Sequence, residues 1–181
     1  MEKKVLAFGA SNSKTSINKR LATFASSQIT SADAHVLDLN DFPLPLYSPD
    51  LEKAEGIPES AVSFLQEIKG SDGIIISLAE YNGLHTAAFK NLWDWMSRID
   101  QMNIWYDKPM FLLSTSPSRR PESNVMRVSK QLFPHFGGNI ISSFQLPSFN
   151  HYFKDGVIIE SEYKQKFETE RIRFQTILDQ N

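Results

Sequence analysis

Short apolar runs alternate along this chain with longer segments of helical period, the pattern of an α/β fold. The apolar runs are KVLAFG at 4–9, AHVLDL at 34–39, DGIIISL at 72–78, PMFLLST at 109–115 and NIISSFQL at 139–146. At least three are apolar nearly throughout, as parallel strands covered on both faces should be. Between them, Ile17, Leu21, Ala25 and Ile29 recur every four residues. Ala61, Leu65 and Ile68 repeat that spacing between Pro58, which suits a first helical turn, and Gly70, which ends it. A third helix is expected from about Thr86 to Arg98. A fourth runs from about Glu122 to Phe133, its apolar face made by Val125, Val128 and Leu132 ahead of Pro134. Tyr163, Phe167, Phe174 and Leu178 mark a last helix, and the proline-rich DFPLPLYSPD at 41–50 reads as a loop.

Helices between successive strands, joined by right-handed crossovers, make a doubly wound parallel sheet. Five strands favour the flavodoxin-like order 2-1-3-4-5, a three-layer sandwich with helices on both faces, over the Rossmann-like 3-2-1-4-5-6. No repeat, low-complexity tract or linker divides the chain, so residues 1–181 are expected to form one domain. In such sheets ligands lie beyond the carboxyl ends of the strands, where strand order reverses. The loops after the first, third and fourth strands are therefore the places to search.

Composition narrows the ligand. A net charge of −2 provides no basic field to gather nucleic acid or an anionic membrane, and 41% hydrophobic residues suffice for a sizeable core. The absence of cysteine removes disulfides, thiolate nucleophiles and cysteine metal sites, and fits a reducing compartment. The apolar start MEKKVLAFGA is too short for a signal h-region or a bilayer span. A cytoplasmic protein acting on small molecules is expected.

After the first strand the chain runs ASNSKTSIN at 10–18 straight into a helix. Unpaired N–H groups and the positive end of the helix dipole make such a corner a phosphate site. Ser11, Ser13, Thr15 and Ser16 add hydroxyls, and Asn18 adds an amide. One glycine, Gly9, is too few for the dinucleotide fingerprint, and the Walker pattern is absent, so a single terminal phosphate suits the loop. The alternative is that Thr15 or Ser16 only caps the helix and the remaining serines are solvated. The spacing SNSKTSIN resembles the phosphate loop of the NADPH-dependent FMN reductase family, G-S-x-R-x-x-S-x-N. Ser11, Ser16 and Asn18 match, while Ala10 replaces a glycine and Ser13 the arginine.

After the third strand, AEYNGLHTAAFKNLWDW at 79–95 is similar to the same family's P-E-Y-N-x-x-x-x-x-x-L-K-N-x-x-D-W segment, with Ala79 and Phe89 as conservative departures. A turn of this kind offers main-chain groups to the polar edge of a flat heterocycle, Gly83 permits unusual dihedrals, and Tyr81 can lie along a ring. The plainer alternative is a strand-to-helix turn with Tyr81 on the surface. Lys90, Asn91 and Asp94 are expected to brace the third helix and its loop. Trp93 and Trp95 lie on different faces of that helix, so it needs either a second subunit or burial beneath the loop carrying Trp105 and Tyr106. The third loop, STSPSRRPESNVM at 114–126, lacks the glycine-rich turn of similar family members. Ser118, Arg119, Arg120 and Pro121 stand there instead, the arginines either meeting the 2′-phosphate of NADPH or forming a solvated turn.

The resemblance covers residues 4 to about 146. It implies an FMN reductase-type oxidoreductase that passes a hydride from NADPH or NADH through FMN to a flavin, quinone, azo, nitro or metal-oxyanion acceptor. The FMN-binding residues it implies are Ser11, Ser13, Ser16, Ile17 and Asn18, then Ala79, Glu80, Tyr81, Asn82 and Gly83, with Ser116 from the third loop. It also implies a homodimer or homotetramer. No catalytic side chain and no metal are expected: His35, His85, His135 and His151 show no metal spacing, and the carboxylates at 50–55 sit in a polar loop. His85 is either exposed or in contact with substrate or flavin. Two other readings stay open. One is an FMN-binding electron carrier or interaction module, although a charge of −2 is weak for docking. The other is a flavin-free nucleoside deoxyribosyltransferase-like enzyme with Glu80 as nucleophile.

Overall fold

A computed structural model describes residues 3–100, 102–119 and 123–180. Its central sheet contains β1 (Lys3–Gly9), β2 (Ala32–Leu37), β3 (Gly73–Leu78), β6 (Pro109–Thr115) and β7 (Asn139–Leu146). Two small hairpins complete the strands: β4 (Glu80–Tyr81) with β5 (Leu84–His85), and β8 (Phe153–Lys154) with β9 (Val157–Ile158). The central strands lie in the order β2-β1-β3-β6-β7 with every pair parallel, the flavodoxin-like arrangement expected. The helices are α1 (Ile17–Ser27), α2 (Pro49–Glu55), α3 (Glu59–Lys69), α4 (Ala87–Met96), α5 (Asn124–Leu132), α6 (Phe149–Tyr152) and α7 (Ser161–Gln180). No helix among the described residues is long and apolar enough to cross a membrane.

The two-residue period of a strand divides the core. Leu6, Phe8, Ile74, Ile76, Met110 and Leu112 pack on one face against α3, α4 and the Trp105 loop, while Val5, Ala7, Ile75, Phe111 and Leu113 face α1 and α7. β3 and β6 are buried along their whole length, which explains their unbroken apolar sequence. β2 lies at the sheet edge, and its alternating exposure is that of a half-covered strand.

Several expectations shift. β2 begins two residues earlier than 34 and stops at Leu37, since Asp38 turns the chain by accepting from the Asn40 N–H at 2.9 Å. The carboxylates at 50–55 lie on α2, not in a loop: the Ser48 hydroxyl accepts from the Leu51 N–H at 3.1 Å, and Pro49 occupies the first turn. Pro58 is the N-cap of α3 rather than part of its first turn. The buried face of α5 is Val125, Met126 and Ser129, with Leu132 left 39% exposed, and the expected start at Glu122 lies outside the described residues.

The two-sided apolar girth of α4 is satisfied within the chain. Trp93 packs edge-on against Trp105, Phe133 and Phe136, whereas Trp95 meets Tyr47 and donates from Nε1 to the Pro45 carbonyl at 2.8 Å. Burial under the Trp105 loop accounts for Trp93, and the proline-rich loop covers Trp95. Asn91 locks that loop, donating to the Pro45 carbonyl at 2.9 Å and accepting from the Tyr47 N–H at 2.8 Å.

Helix and sheet approach each other closely at Gly9. A Cβ there would lie 2.7 Å from the Lys19 Cα and 2.9 Å from the Asn18 carbonyl carbon, both rigid backbone. Gly9→Ala is expected to lower stability by about 1–3 kcal/mol through overpacking. Urea unfolding measures this, and an unchanged midpoint would mean that α1 can move away freely.

Candidate functional site

β1 ends at Gly9, and after the intervening residues 10–16 α1 begins at Ile17, capped by Ser16, whose hydroxyl accepts from the Lys19 N–H at 3.1 Å. The intervening loop is folded on itself. The Ser11 N–H donates to the Gly9 carbonyl at 2.7 Å, the Ser13 N–H to the Ser11 hydroxyl at 3.2 Å, and the Ser16 N–H to the Ser13 carbonyl at 3.1 Å. Ile17 and Asn18 are the first two helical residues, positions whose N–H groups no helical carbonyl can take. Ser11, Ser13, Thr15, Ser16, Ile17 and Asn18 thus line one wall of a cavity of about 220 Å³, whose other wall is Ala79, Glu80, Tyr81 and the Thr115–Pro117 segment.

A second cavity of about 460 Å³ shares Glu80, Tyr81, Thr115, Ser116 and Pro117 with the first and continues to Asn82, Ser118, Ser123 and Gln145. Together they form one cleft beyond the carboxyl ends of β1, β3 and β6, where the strand order reverses. Among the described residues that line it, the ionisable side chains are Tyr81 and Glu80. The start of α1 adds the positive end of its dipole at the loop end of the cleft.

The second loop is a hairpin. Asn82 and Gly83 join β4 to β5 with φ of 54° and 84°, left-handed at both central positions as a type I′ turn requires. This presents Tyr81 at 55% exposure on the cleft side. Gly83 lines neither cavity; its contribution is the turn.

Glu80 is engaged. One carboxylate oxygen accepts from the Ser123 hydroxyl and from the Val125 N–H, each at 3.0 Å, so it caps α5 and holds the hairpin against it. A carboxylate committed in this way is a poor free nucleophile, which counts against the glycosyl-transfer reading.

The Asn18 side chain serves the fold. Its carbonyl oxygen accepts from the Ser77 hydroxyl at 2.8 Å and the Thr115 N–H at 3.1 Å, and its amide donates to the Thr115 carbonyl at 3.2 Å. The side chain fastens the start of α1 across the ends of β3 and β6. Thr86 makes a parallel clamp, donating to the Ala10 carbonyl at 2.9 Å while accepting from the Phe89 N–H at 3.2 Å as the cap of α4. Thr86 stands at the start expected for the third helix, and the structure adds its bond to Ala10. Thr86 follows the hairpin at a helix start, a legible cap position, whereas Ser77 is a lone hydroxyl in an apolar strand.

In the described part of the third loop, side chains and the next corner hold the backbone. The Ser116 hydroxyl donates to the Ser118 carbonyl at 3.1 Å, and the Ser116 and Ser118 carbonyls accept from the Phe149 and Ser148 N–H groups at 2.9 and 2.8 Å. Arg119 is exposed; Arg120 and Pro121 lie outside the described residues. Gln145, at the end of β7, lines the cleft and accepts from the Ser123 N–H at 2.9 Å. A search confined to the loops after the first, third and fourth strands passes over this fifth strand end.

His85 lines neither cavity. It is enclosed by Phe89, Trp93 and Phe133 and shares a 2.8 Å hydrogen bond with the Ser129 hydroxyl. Burial first, and the Lys90 charge second, pull its pKa down from 6.5 to about 4. The described residues contain no cluster of three or more metal-ligating His, Asp or Glu side chains.

Residues 3–151 match the family model for NADPH-dependent FMN reductase. A 2-hydroxy-1,4-benzoquinone reductase from a Burkholderia species is 34% identical over 117 residues, covering 64% of this chain and 62% of that protein. An NADPH:quinone oxidoreductase from Arabidopsis thaliana is 30% identical over 130 residues, covering 68% and 64%. The matched region thus spans just under two thirds of the length of these two relatives. Among solved structures, a flavoenzyme NAD(P)H:(acceptor) oxidoreductase from Paracoccus denitrificans superposes with a TM-score of 0.77 at 25% identity over 98% of each chain.

Because the folded state keeps His85 neutral, the unfolded chain takes up the proton first and stability is lost as pH falls from about 6.5 towards 4. His85→Gln is expected to flatten this part of the stability–pH curve in urea melts. An unchanged slope would show that other groups govern acid unfolding.

Proposed function

The chain belongs to the NADPH-dependent FMN reductase family, and on that premise we propose that it is an NAD(P)H-dependent oxidoreductase holding FMN in the β1–β3–β6 cleft and reducing a quinone. The observation that carries the reading is the convergence of the hydroxyl-rich start of α1 and the Asn82–Gly83 hairpin on that one cleft. The donor set suits a terminal phosphate monoester: hydroxyls of Ser11, Ser13 and Thr15, main-chain N–H groups at Ile17 and Asn18, and the helix dipole. Main-chain groups of Ala79 to Asn82 would meet the polar edge of the ring, and Tyr81 and Ser116 would flank it. When bound, FMN would accept a hydride from NAD(P)H and deliver two electrons to the acceptor.

The chain's own part is placement. Asn18 fixes the phosphate loop to the sheet, Thr86 fixes it to the start of α4, the Glu80 cap fixes the hairpin to α5, and the serine bonds of the third loop fix the opposite wall. No side-chain acid or base is required. A quinone is favoured over azo, nitro and metal-oxyanion acceptors by the relatives matched, both quinone reductases by description. The exposed Tyr81, Leu84 and Leu46 support a homodimer in which a second copy covers the hairpin side of the cleft. The absence of cysteine supports a reducing, cytoplasmic setting.

Purified protein mixed with FMN is expected to retain a yellow chromophore through gel filtration. Under anaerobic conditions it should bleach on adding NADPH and recover colour with one equivalent of benzoquinone. A protein that holds no flavin would overturn the cofactor assignment. Flavin that stays oxidised in both NADPH and NADH would favour an electron carrier.

A further inference from the structure

A second concavity lies on the other side of the phosphate loop. It is a groove of about 500 Å³ between the outer face of α1 and the β8–β9 hairpin. Lys14, Thr15 and Ser16 form its wall towards the cleft, with Thr15 and Ser16 lining both. Phe24 and Phe153 make an aromatic floor, edge to face at a centroid distance of 5.5 Å. The hairpin closes the far side with Gly156, where a Cβ would meet nothing within 4 Å.

The rim is cationic. Of Lys14, Lys19 and Arg20, only Lys19 is paired with a described acid, Asp38. The Arg20 guanidinium is steadied over the Phe149 and Phe153 rings at 5.0 and 5.6 Å, leaving its N–H fork available. Cations at the mouth over an aromatic floor are complementary to a ligand joining a flat ring to a phosphate.

Resting on the function proposed above, we propose that this groove takes the 2′-phosphoadenosine end of NADPH, with Lys14 and Arg20 meeting the 2′-phosphate and the adenine lying against Phe24. The dinucleotide would cross the Thr15–Ser16 ridge, the wall shared by groove and cleft. The assignment gives this chain a source of NADPH preference outside the third-loop arginines.

The test titrates 2′,5′-ADP and 5′-AMP into the protein by calorimetry, with and without FMN, and compares wild type with Lys14→Glu and with Arg20→Gln. Wild type should bind 2′,5′-ADP about tenfold more tightly than 5′-AMP, and each variant should lose most of that difference. In steady-state assays the KM for NADPH should rise about tenfold, with kcat, the KM for NADH and FMN affinity unchanged. Lys14 is exposed, so its replacement should not disturb folding. Equal binding of the two nucleotides by wild type, or an undiminished 2′-phosphate preference in both variants, would overturn the proposal. Because the nucleotide titration is also read without flavin, loss of the FMN reading and loss of the groove reading are separate results.

Discussion

Everything at the candidate site depends on how tightly the start of α1 is drawn against the end of β1. Gly9 is the constraint: any side chain there would collide with the backbone of Asn18 and Lys19. With the collision absent, the first helical turn sits at the carboxyl end of β1, inside the sheet order, and its unpaired N–H groups open onto the cleft. Asn18 then ties this turn to β3 and β6 through three hydrogen bonds. Backbone packing and one buried amide therefore fix this corner, where the proposed function places the phosphate.

The same economy governs the rest of the cleft. Glu80 is used as a helix cap that docks the hairpin, and the opposite wall is fixed by serine and main-chain bonds. Apart from the engaged Glu80, the described lining is made of dipoles held in place, and such a site needs little reorganisation as charge changes nearby. Lys14, Lys19 and Arg20 lie on the groove side of the loop.

The sheet was legible because strands buried on both faces must be apolar throughout, and the order followed from the alternation with helices. Elements whose stability comes from a few polar atoms were harder to see. The α2 helix hides behind prolines and depends on Ser48 as its cap, and the β4–β5 hairpin is carried by an Asn-Gly pair, a strong signal read only as a turn. Residue types at the cleft were legible too, but tasks were not. Asn18 shows as a donor in sequence, while only the fold reveals that Ser77 and Thr115 already engage it. For Trp93 and Trp95, sequence left two partners open, and packing within the chain supplies both.

The central claim is that the start of α1 holds the phosphate of FMN. The most direct measurement compares the affinities of FMN and riboflavin for the protein by fluorescence quenching. If the claim holds, FMN binds more tightly by about a hundredfold or more, since riboflavin shares the ring and lacks only the phosphate. Equal affinities would contradict it and would leave the hydroxyl-rich loop as no more than a helix cap.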